Sequence, residues 1–536
     1  MEDIVYDCIV IGGGVAGLRC ATLLHQQKKS VLVLEARDRI GGRTYGIEYN
    51  DYMWDVGGQW VGPTQDRLYS LIKECGQHTF PQQQQGKKVI EIDGKTSVYS
   101  GLIPPVSLIG LLELQLILYR LERMTLQVDP LEPWKSKNAD KWDSITVQDW
   151  IDENTYCSVT KKLIHVAFIA VFSCDPKEMS LLFVLNYFRG AGGVMKTLDV
   201  PNGAQQDRIF GGSYKLSQTM ANNLGLDTIV KLNHEVVDIQ QSRNSIFSNI
   251  RCSNGRSYHS KLIVIAAPPI VVQSIQFTPP LPTPRVHLQQ RMPMGQVIKF
   301  IVFYDKCFWR DLGFAGEILT DRESASVLYD GSFEDGSKPS IVGFFEGSAA
   351  RIWADRSKEE RRKEVLDILF KSFNDKRALA PCNYIDMDWM SEKYSLGGYG
   401  GYLGPGVLTS VGNALREPYG RIHFAGTETA TEWPGYIEGA LQSAERASGE
   451  VLKHLKTVES EFGQLNNPSY SSKSCQNESS QHFSYKYLDT TITRNHSKSG
   501  ILNSTTAMLL LSTTTLFLTV YLLVNRQSIS ILKWFL

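Results

Sequence analysis

The feature that most constrains this chain lies at its front. An apolar run from Asp7 to Ile11 meets Gly12-Gly13-Gly14-Val15-Ala16-Gly17, Leu18 to His25 then keeps helical spacing, and Ser30 to Leu34 forms a second apolar run ending on Glu35. A strand, a GxGxxG turn, a helix and a strand closing on an acid, all within about 30 residues, make the pattern of a dinucleotide-binding unit. Gly12 allows the tight turn, Gly14 lets a pyrophosphate approach the backbone, and Gly17 lets helix and strand pack closely. Val15 and Ala16 open the helix, whose N–H groups and partial positive charge face the phosphates. Glu35 is placed to accept the hydroxyls of an adenosine ribose, with Ala36 and Arg37 beside it. An acid at that strand end disfavours a 2′-phosphate, which leaves FAD or NAD.

Two glycine pairs follow: Gly41-Gly42 with Arg43 beside it, and Gly57-Gly58 leading into Gln59 and Trp60. They offer further backbone contacts and a cation to a ligand longer than a pyrophosphate alone. With these residues the chain resembles the flavin-dependent amine oxidases, whose signature after GxGxxG is the ExRxRxGGRT pattern seen from Glu35 to Thr44. The resemblance implies FAD, held by a domain assembled from separated segments. Arg421 to Thr429 reads as a strand ending in a turn with Gly426, Thr427 and Glu428. From Gly435 through Tyr436 and Ile437 to Leu452 a helix aims its N-terminus at the flavin, where it would stabilise negative charge formed on reduction. Glu235 to Ile239 resembles the strand whose backbone meets the adenine through Val236, and Ser260 to Pro269 a buried strand returning from a substrate excursion.

The remaining composition excludes more than it assigns. With 56 Lys+Arg against 56 Asp+Glu over 536 residues, the formal charge is zero, without the basic excess of a nucleic-acid binder. Nine dispersed cysteines without a CxxC or a histidine cluster read as reduced thiols, not as a disulfide framework or a metal site. The acidic start running directly into the first strand leaves no room for a signal or transit peptide. Near residue 457 the chain turns rich in Ser, Asn, Gln and Thr, a linker expected over 458–504. Beyond it, 507–524 is an uncharged apolar run with Arg526 and Lys533 behind it, at the lower limit for spanning a bilayer. The reading is a single-pass C-terminal tail anchor, 505–536, with the catalytic body on the cytosolic side and the mitochondrial outer membrane as the favoured destination. Three glycosylation-type triplets, at Asn477, Asn495 and Asn503, are taken as chance.

Over most of residues 5–455 the chain is similar to the monoamine oxidase branch, through LEARDRIGGRTY, GGQWVGPTQDR, NGAQQDRIFGGS, PMGQVIKF, FWR and AGTETATEWPGYIEGA. The resemblance makes Tyr399 and Tyr436 two aromatic walls before the flavin. It makes Lys299 the residue that holds a water against flavin N5, with Trp389 as its packing partner. Gln205 matches a glutamine near the flavin, and Val171, Leu198 and Trp60 fall where the family shapes its apolar cavity. A lysine inside the apolar run Val297 to Ile301 is costly without such a task, unless it snorkels to the surface.

The implied reaction is oxidative deamination of primary arylalkyl or aliphatic monoamines by O2 to aldehyde, ammonia and hydrogen peroxide. A polyamine or N-acetylpolyamine oxidase is the second reading, kept open by Asp199 and Glu432, and an inactive membrane-tethered flavoprotein the third. Gly398 stands where animal monoamine oxidases carry the cysteine that binds FAD, so the cofactor is expected to be non-covalent. Homodimerisation stays open.

The fold class expected is a Rossmann-like α/β FAD domain interleaved with an α+β substrate domain containing a mixed sheet, followed by a transmembrane helix. FAD segments are expected at 1–80, 211–290 and 396–457, and substrate segments at 81–210 and 291–395.

Overall fold

The computed structural model describes residues 4–101, 105–198, 200–242 and 245–465, with side chains in the last helix given as far as Val458. β1 (Val5–Ile11), α1 (Val15–Gln26) and β2 (Val31–Leu34) follow one another, and β1 pairs in parallel with β2, Cys8 opposite Val31 and Ile11 opposite Leu34. Parallel neighbours need a crossover, which α1 supplies. The strands are apolar at successive positions because both faces are covered. Cys8 and Val10 enter the core shared with α1, while Ile9 and Ile11 enter the opposite core with Val236 and Ile239.

β1 also pairs in parallel with Ser257–Ile265, whose second half pairs with Ile422–Phe424, Ile263 opposite Ile422 and Ile265 opposite Phe424. Its first half pairs instead with the antiparallel strand Ser248–Cys252. The resulting sheet has eight strands, drawn from residues 5–34, 230–278 and 422–424.

A second, seven-stranded sheet uses the chain between these stretches. Its order is Asn383–Asp388, Val297–Phe303, Ser340–Glu346, Ala325–Asp330, Phe314–Thr320, Lys87–Ile92 and Lys95–Tyr99. Every residue of Val297–Phe303 and Ser340–Glu346 is buried. The two-residue period of a strand sorts them between two cores. Ile298, Phe300, Val302, Ile341 and Phe345 pack against Val365, Ile368 and Leu369 of the helix Lys358–Phe373. Val297, Ile301, Phe303, Val342 and Phe344 join Trp54 and Trp389 on the other face. Lys299 and Glu346 share the parity of this second face. The helices Leu108–Thr125, Ser158–Phe172 and Leu181–Gly190 build a third apolar core.

The last helix crosses the expected boundary between body and linker. It runs from Ile437 to Leu465, past the expected start of the linker at 458. As far as Val458, the residues Leu441, Ala444, Ala447, Val451, Leu455 and Val458 form one buried stripe at helical spacing. The rest of the expected linker and the expected anchor lie outside the described residues. Among the described residues no helix is long and apolar enough to cross a membrane.

Candidate active site

One cavity gathers residues from Ile11 to Ala440. Gly12, Gly14, Val15, Ala16, Glu35, Ala36, Arg37, Gly42, Arg43 and Gly58 line it from the first segment, Val236 from the second, and Gly426, Thr427, Gly435, Tyr436 and Ile437 from the last. Lys299, Trp389 and Tyr399 line it from the side of the seven-stranded sheet.

The glycines of the turn divide by what a side chain would meet. A Cβ on Gly17 would stand 2.0 Å from the Gly12 carbonyl oxygen, and one on Gly12 2.9 Å from that of Ala266. These two are required by the packing of the chain on itself. A Cβ on Gly14 would meet nothing closer than Gly42 Cα at 3.8 Å, so its bareness serves the cavity it lines. Gly14 is also the N-cap of α1, where no side chain satisfies the first-turn N–H groups and no acid lies in the first turn. A bare glycine before an uncapped helix start suits a phosphate ligand. Glu35 is buried at the end of β2, Oε2 accepting the Gly13 N–H at 2.6 Å and Oε1 the Arg37 N–H at 3.0 Å. The Arg37 guanidinium reaches across to Glu392 and, at 3.0 Å, to Ser395 Oγ.

Arg43 joins the first and last segments. Its guanidinium donates to the Glu428 carboxylate at 2.5 and 3.0 Å and to the Tyr399 carbonyl at 2.9 Å. Burial pushes the Glu428 carboxyl up, but the Arg43 charge and hydrogen bonds outweigh it and hold the group below its ordinary value. Glu428 itself is behind the cavity wall and positions Arg43.

Lys299 is 2% exposed, so it does not snorkel. Nζ donates to the Gly57 carbonyl at 2.9 Å and to Gln59 Oε1 at 2.5 Å, and stands 5.6 Å from the Trp60 ring centroid. Burial lowers its pKa to about 7, with Asp55 pulling it up and Arg208 pushing it further down. Two neutral oxygens solvate an ammonium poorly, which is why desolvation prevails. Trp389 is fixed by its indole N–H on the Val56 carbonyl at 2.8 Å.

Tyr399 and Tyr436 come from two loops that touch, since a Cβ on Gly400 would stand 3.3 Å from Gly435 Cα. Tyr399 packs edge-on to Phe344 at 6.0 Å and donates its hydroxyl to Glu346 at 2.8 Å. Tyr436 stands 4.9 Å from Trp433 and 5.8 Å from Tyr187. Gly435 is left-handed, and a Cβ there would come within 2.8 Å of the Tyr187 ring.

Several expected site residues stand elsewhere. Gly17 is a packing residue, and Gln59 touches the cavity only through Lys299. Trp60 turns its indole N–H to Gln82 at 3.0 Å and packs on Tyr329 and Phe344. Val171 is buried in the helical core with Leu198 against it, because the 158–172 helix points that face at its neighbours. Gln205 donates to the Thr197 carbonyl at 3.4 Å and lies outside the cavity lining.

Conversely, Ala266, Ala267 and Pro268 line the groove unexpectedly. The Ala266 N–H bonds the Ile11 carbonyl at 2.8 Å, so this segment ends beside β1 at the carboxyl edge of the sheet, where open α/β sheets bind ligands. The strand-then-proline pattern was the signal for it. Ser395 and Gly398 also line the cavity.

This fold and groove define a dinucleotide-binding protein with a buried lysine and two tyrosines lining the cavity. The chain matches the family of flavin-containing amine oxidoreductases over residues 15–452 and belongs to it. It is 40% identical over 455 residues to a probable flavin-containing monoamine oxidase A of Dictyostelium discoideum, covering 84% of this chain and 98% of that protein. It is 37% identical over 456 residues to the flavin-containing amine oxidase B of Sus scrofa, covering 84% and 87%. Among solved structures it resembles cyclohexylamine oxidase from Brevibacterium oxydans IH-35A, with a TM-score of 0.80, 32% identity and coverage of 84% and 100%. Putrescine oxidase bound to putrescine gives a TM-score of 0.80 at 27% identity, covering 84% and 99%.

Proposed function

We propose that this flavin amine oxidase deaminates primary monoamines, arylalkyl or aliphatic, consuming O2 and water and releasing aldehyde, ammonia and hydrogen peroxide. The observation that carries the reading is that Tyr399, Tyr436 and Lys299 line one cavity with the glycine groove. The groove suits FAD: Glu35 and Val236 would hold the adenosine end, and Gly14 with the uncapped start of α1 the pyrophosphate. Arg43, Gly58, Gly426 and Thr427 would hold the remainder. When bound, FAD accepts a hydride equivalent from the amine α-carbon and returns the electrons to O2.

The chain's own residues orient and desolvate. The faces of Tyr399 and Tyr436 offer electron density to the amine nitrogen. Lys299 Nζ, near half-neutral at pH 7, can give or take a proton there. The helix opening at Ile437 starts at the cavity, and its N-terminal field favours negative charge formed beside it.

Non-covalent FAD is part of the proposal. Gly398 lines the cavity, and no cysteine is among the described residues that do. Acid precipitation should leave the flavin in the supernatant; flavin retained in the pellet refutes this part.

The polyamine reading has less support. Glu432 is half-exposed and paired with Arg67 at 2.7 Å, and Asp199 lies outside the described residues. A peroxide assay with phenylethylamine, tyramine, spermine and N-acetylspermine separates the readings: turnover of the first two supports monoamines, turnover of the last two alone contradicts them.

The C-terminal anchor is likewise proposed, from the apolar run 507–524. The helix Leu108–Thr125 adds an exposed apolar stripe of Leu108, Leu112, Leu116 and Tyr119, suited to a body held against a bilayer. Carbonate extraction of membranes tests the anchor, and release of the full chain into the soluble fraction contradicts it.

A further inference from the structure

The site face of the seven-stranded sheet carries a second buried ionisable group that the amine chemistry described above leaves unused. Glu346 ends the strand Ser340–Glu346 and has the parity of Val342 and Phe344, the face that packs toward Trp389 and Tyr399. It is 2% exposed. Oε1 accepts the Tyr399 hydroxyl at 2.8 Å and the Ser173 hydroxyl at 3.4 Å, and Oε2 accepts the Ser326 hydroxyl at 3.3 Å. Among the described residues no Lys, Arg or His forms an ion pair with it. A buried carboxyl supported only by hydroxyls is costly, and a glutamine could fill the same space and accept the same phenol.

We propose that Glu346 is a positioning residue for amine oxidation: its carboxylate fixes the Tyr399 ring and, through the shared hydroxyl proton, raises the electron density that ring presents to the amine. This rests on the reading of Tyr399 as an amine-facing wall. A phenol donating to a carboxylate makes a short, charge-assisted bond. The negative charge so shared enriches the ring face, and ring faces attract cationic or partly positive nitrogen through that density. The junction holds the carboxyl in place, because Glu346 is also the N-cap residue of the helix Gly347–Ala354, whose N-terminal field favours the charged form.

Burial works against that charge and pushes the carboxyl up to about 7, while the Tyr399, Ser326 and Ser173 hydroxyls pull it back. The titratable groups facing it are Tyr399 and Tyr329, both pushed up by burial. Asp175 stands beside Gly347 but is paired with Arg351 at 3.0 Å. Lys299 lies on the adjacent strand opposite Phe344, with Gly57 and Gln59 as partners. The pairing should therefore weaken as the pH falls through neutrality.

The test compares the flavin-loaded wild type with E346Q, Y399F and the double variant, measuring anaerobic flavin reduction by phenylethylamine across pH. The inference predicts that E346Q slows reduction about tenfold in the wild-type background but less than twofold in Y399F, and that the acid-side decline assigned to Glu346 is lost. Ser326→Ala, which keeps the carboxyl but removes one donor, should move that decline to higher pH.

A readout independent of turnover is thermal stability. The folded carboxyl titrates above its ordinary 4.5, so wild type loses stability relative to E346Q as pH rises from there through about 7, and the difference is constant above. Equal slowing by E346Q in both backgrounds, or pH profiles unchanged in E346Q and S326A, overturns the inference. A wild type that no amine reduces contradicts the amine-oxidation reading as well, which keeps the two failures distinct.

Discussion

Along the groove from Gly12 to Gly58 the turns remove side chains and leave backbone N–H groups and a helix start, with Glu35, Arg37 and Arg43 as the charged side chains beside them. Across the wall from Lys299 to Tyr399 the chain does the reverse, burying a lysine, a glutamate and aromatic rings within an apolar sheet face. Lys299 and Glu346 both titrate near 7, because burial opposes charge on each. The groove contains no such group in its turn. The difference teaches where sensitivity should lie: cofactor retention should depend on shape and hardly on pH, and turnover should depend strongly on pH.

The sharpest way to break this comparison is to add one methyl group at two glycines. Gly17→Ala should destabilise the fold by more than about 3 kcal/mol, because its Cβ meets backbone at 2.0 Å. Compared as apoproteins, Gly14→Ala should melt within about 0.5 kcal/mol of wild type, yet it should lose most of its flavin. Circular dichroism melting and the flavin-to-protein absorbance ratio give both numbers, and equal effects at the two positions would erase the distinction between packing and ligand glycines.

Next in size is Arg43→Ala, which leaves Glu428 buried without its cation and should cost about 3–5 kcal/mol in denaturant unfolding. Lys299→Met should follow, with turnover down about a hundredfold and the share of the rise through pH 7 that belongs to Lys299 removed, leaving that of Glu346. The folded pKa of Lys299 lies below its ordinary 10.5, so its burial penalty is full below about 7 and fades as pH rises toward 10.5. Any stability gained by Lys299→Met should therefore be largest below neutral pH, which melting curves across pH would show. Smallest in function is Val171→Ala, which should cost about 2 kcal/mol of stability through the helical core while KM stays within twofold.

The groove was readable because its parts are local. Gly12, Gly14 and Glu35 stand within one βαβ unit, so spacing carries their roles, whereas the roles of Gly426 to Ile437 follow from the resemblance. The wall depends on register between distant strands. Lys299 was noticed as a charge in an apolar run, whereas Glu346 reads in isolation as a polar strand end before Gly347. Only pairing with the Val297–Phe303 strand, Lys299 opposite Phe344, places Glu346 on the site face. The roles of Val171, Leu198, Trp60 and Gln205 rest on resemblance; the side chains of Val171, Leu198 and Trp60 pack in apolar clusters, and Gln205 bonds the Thr197 carbonyl. The last helix runs past the expected linker start at 458, its backbone helical as far as Leu465.

The proposed role of the Tyr399–Tyr436–Lys299 cavity is to deliver a primary monoamine to bound FAD. Its most direct test is anaerobic titration of the purified, flavin-loaded protein with phenylethylamine, following flavin absorbance and aldehyde together. Complete bleaching with one aldehyde formed per flavin is expected, and return of the absorbance with hydrogen peroxide when air is admitted. A flavin that stays oxidised with phenylethylamine and tyramine, or that is bleached only by spermine or N-acetylspermine, would contradict it.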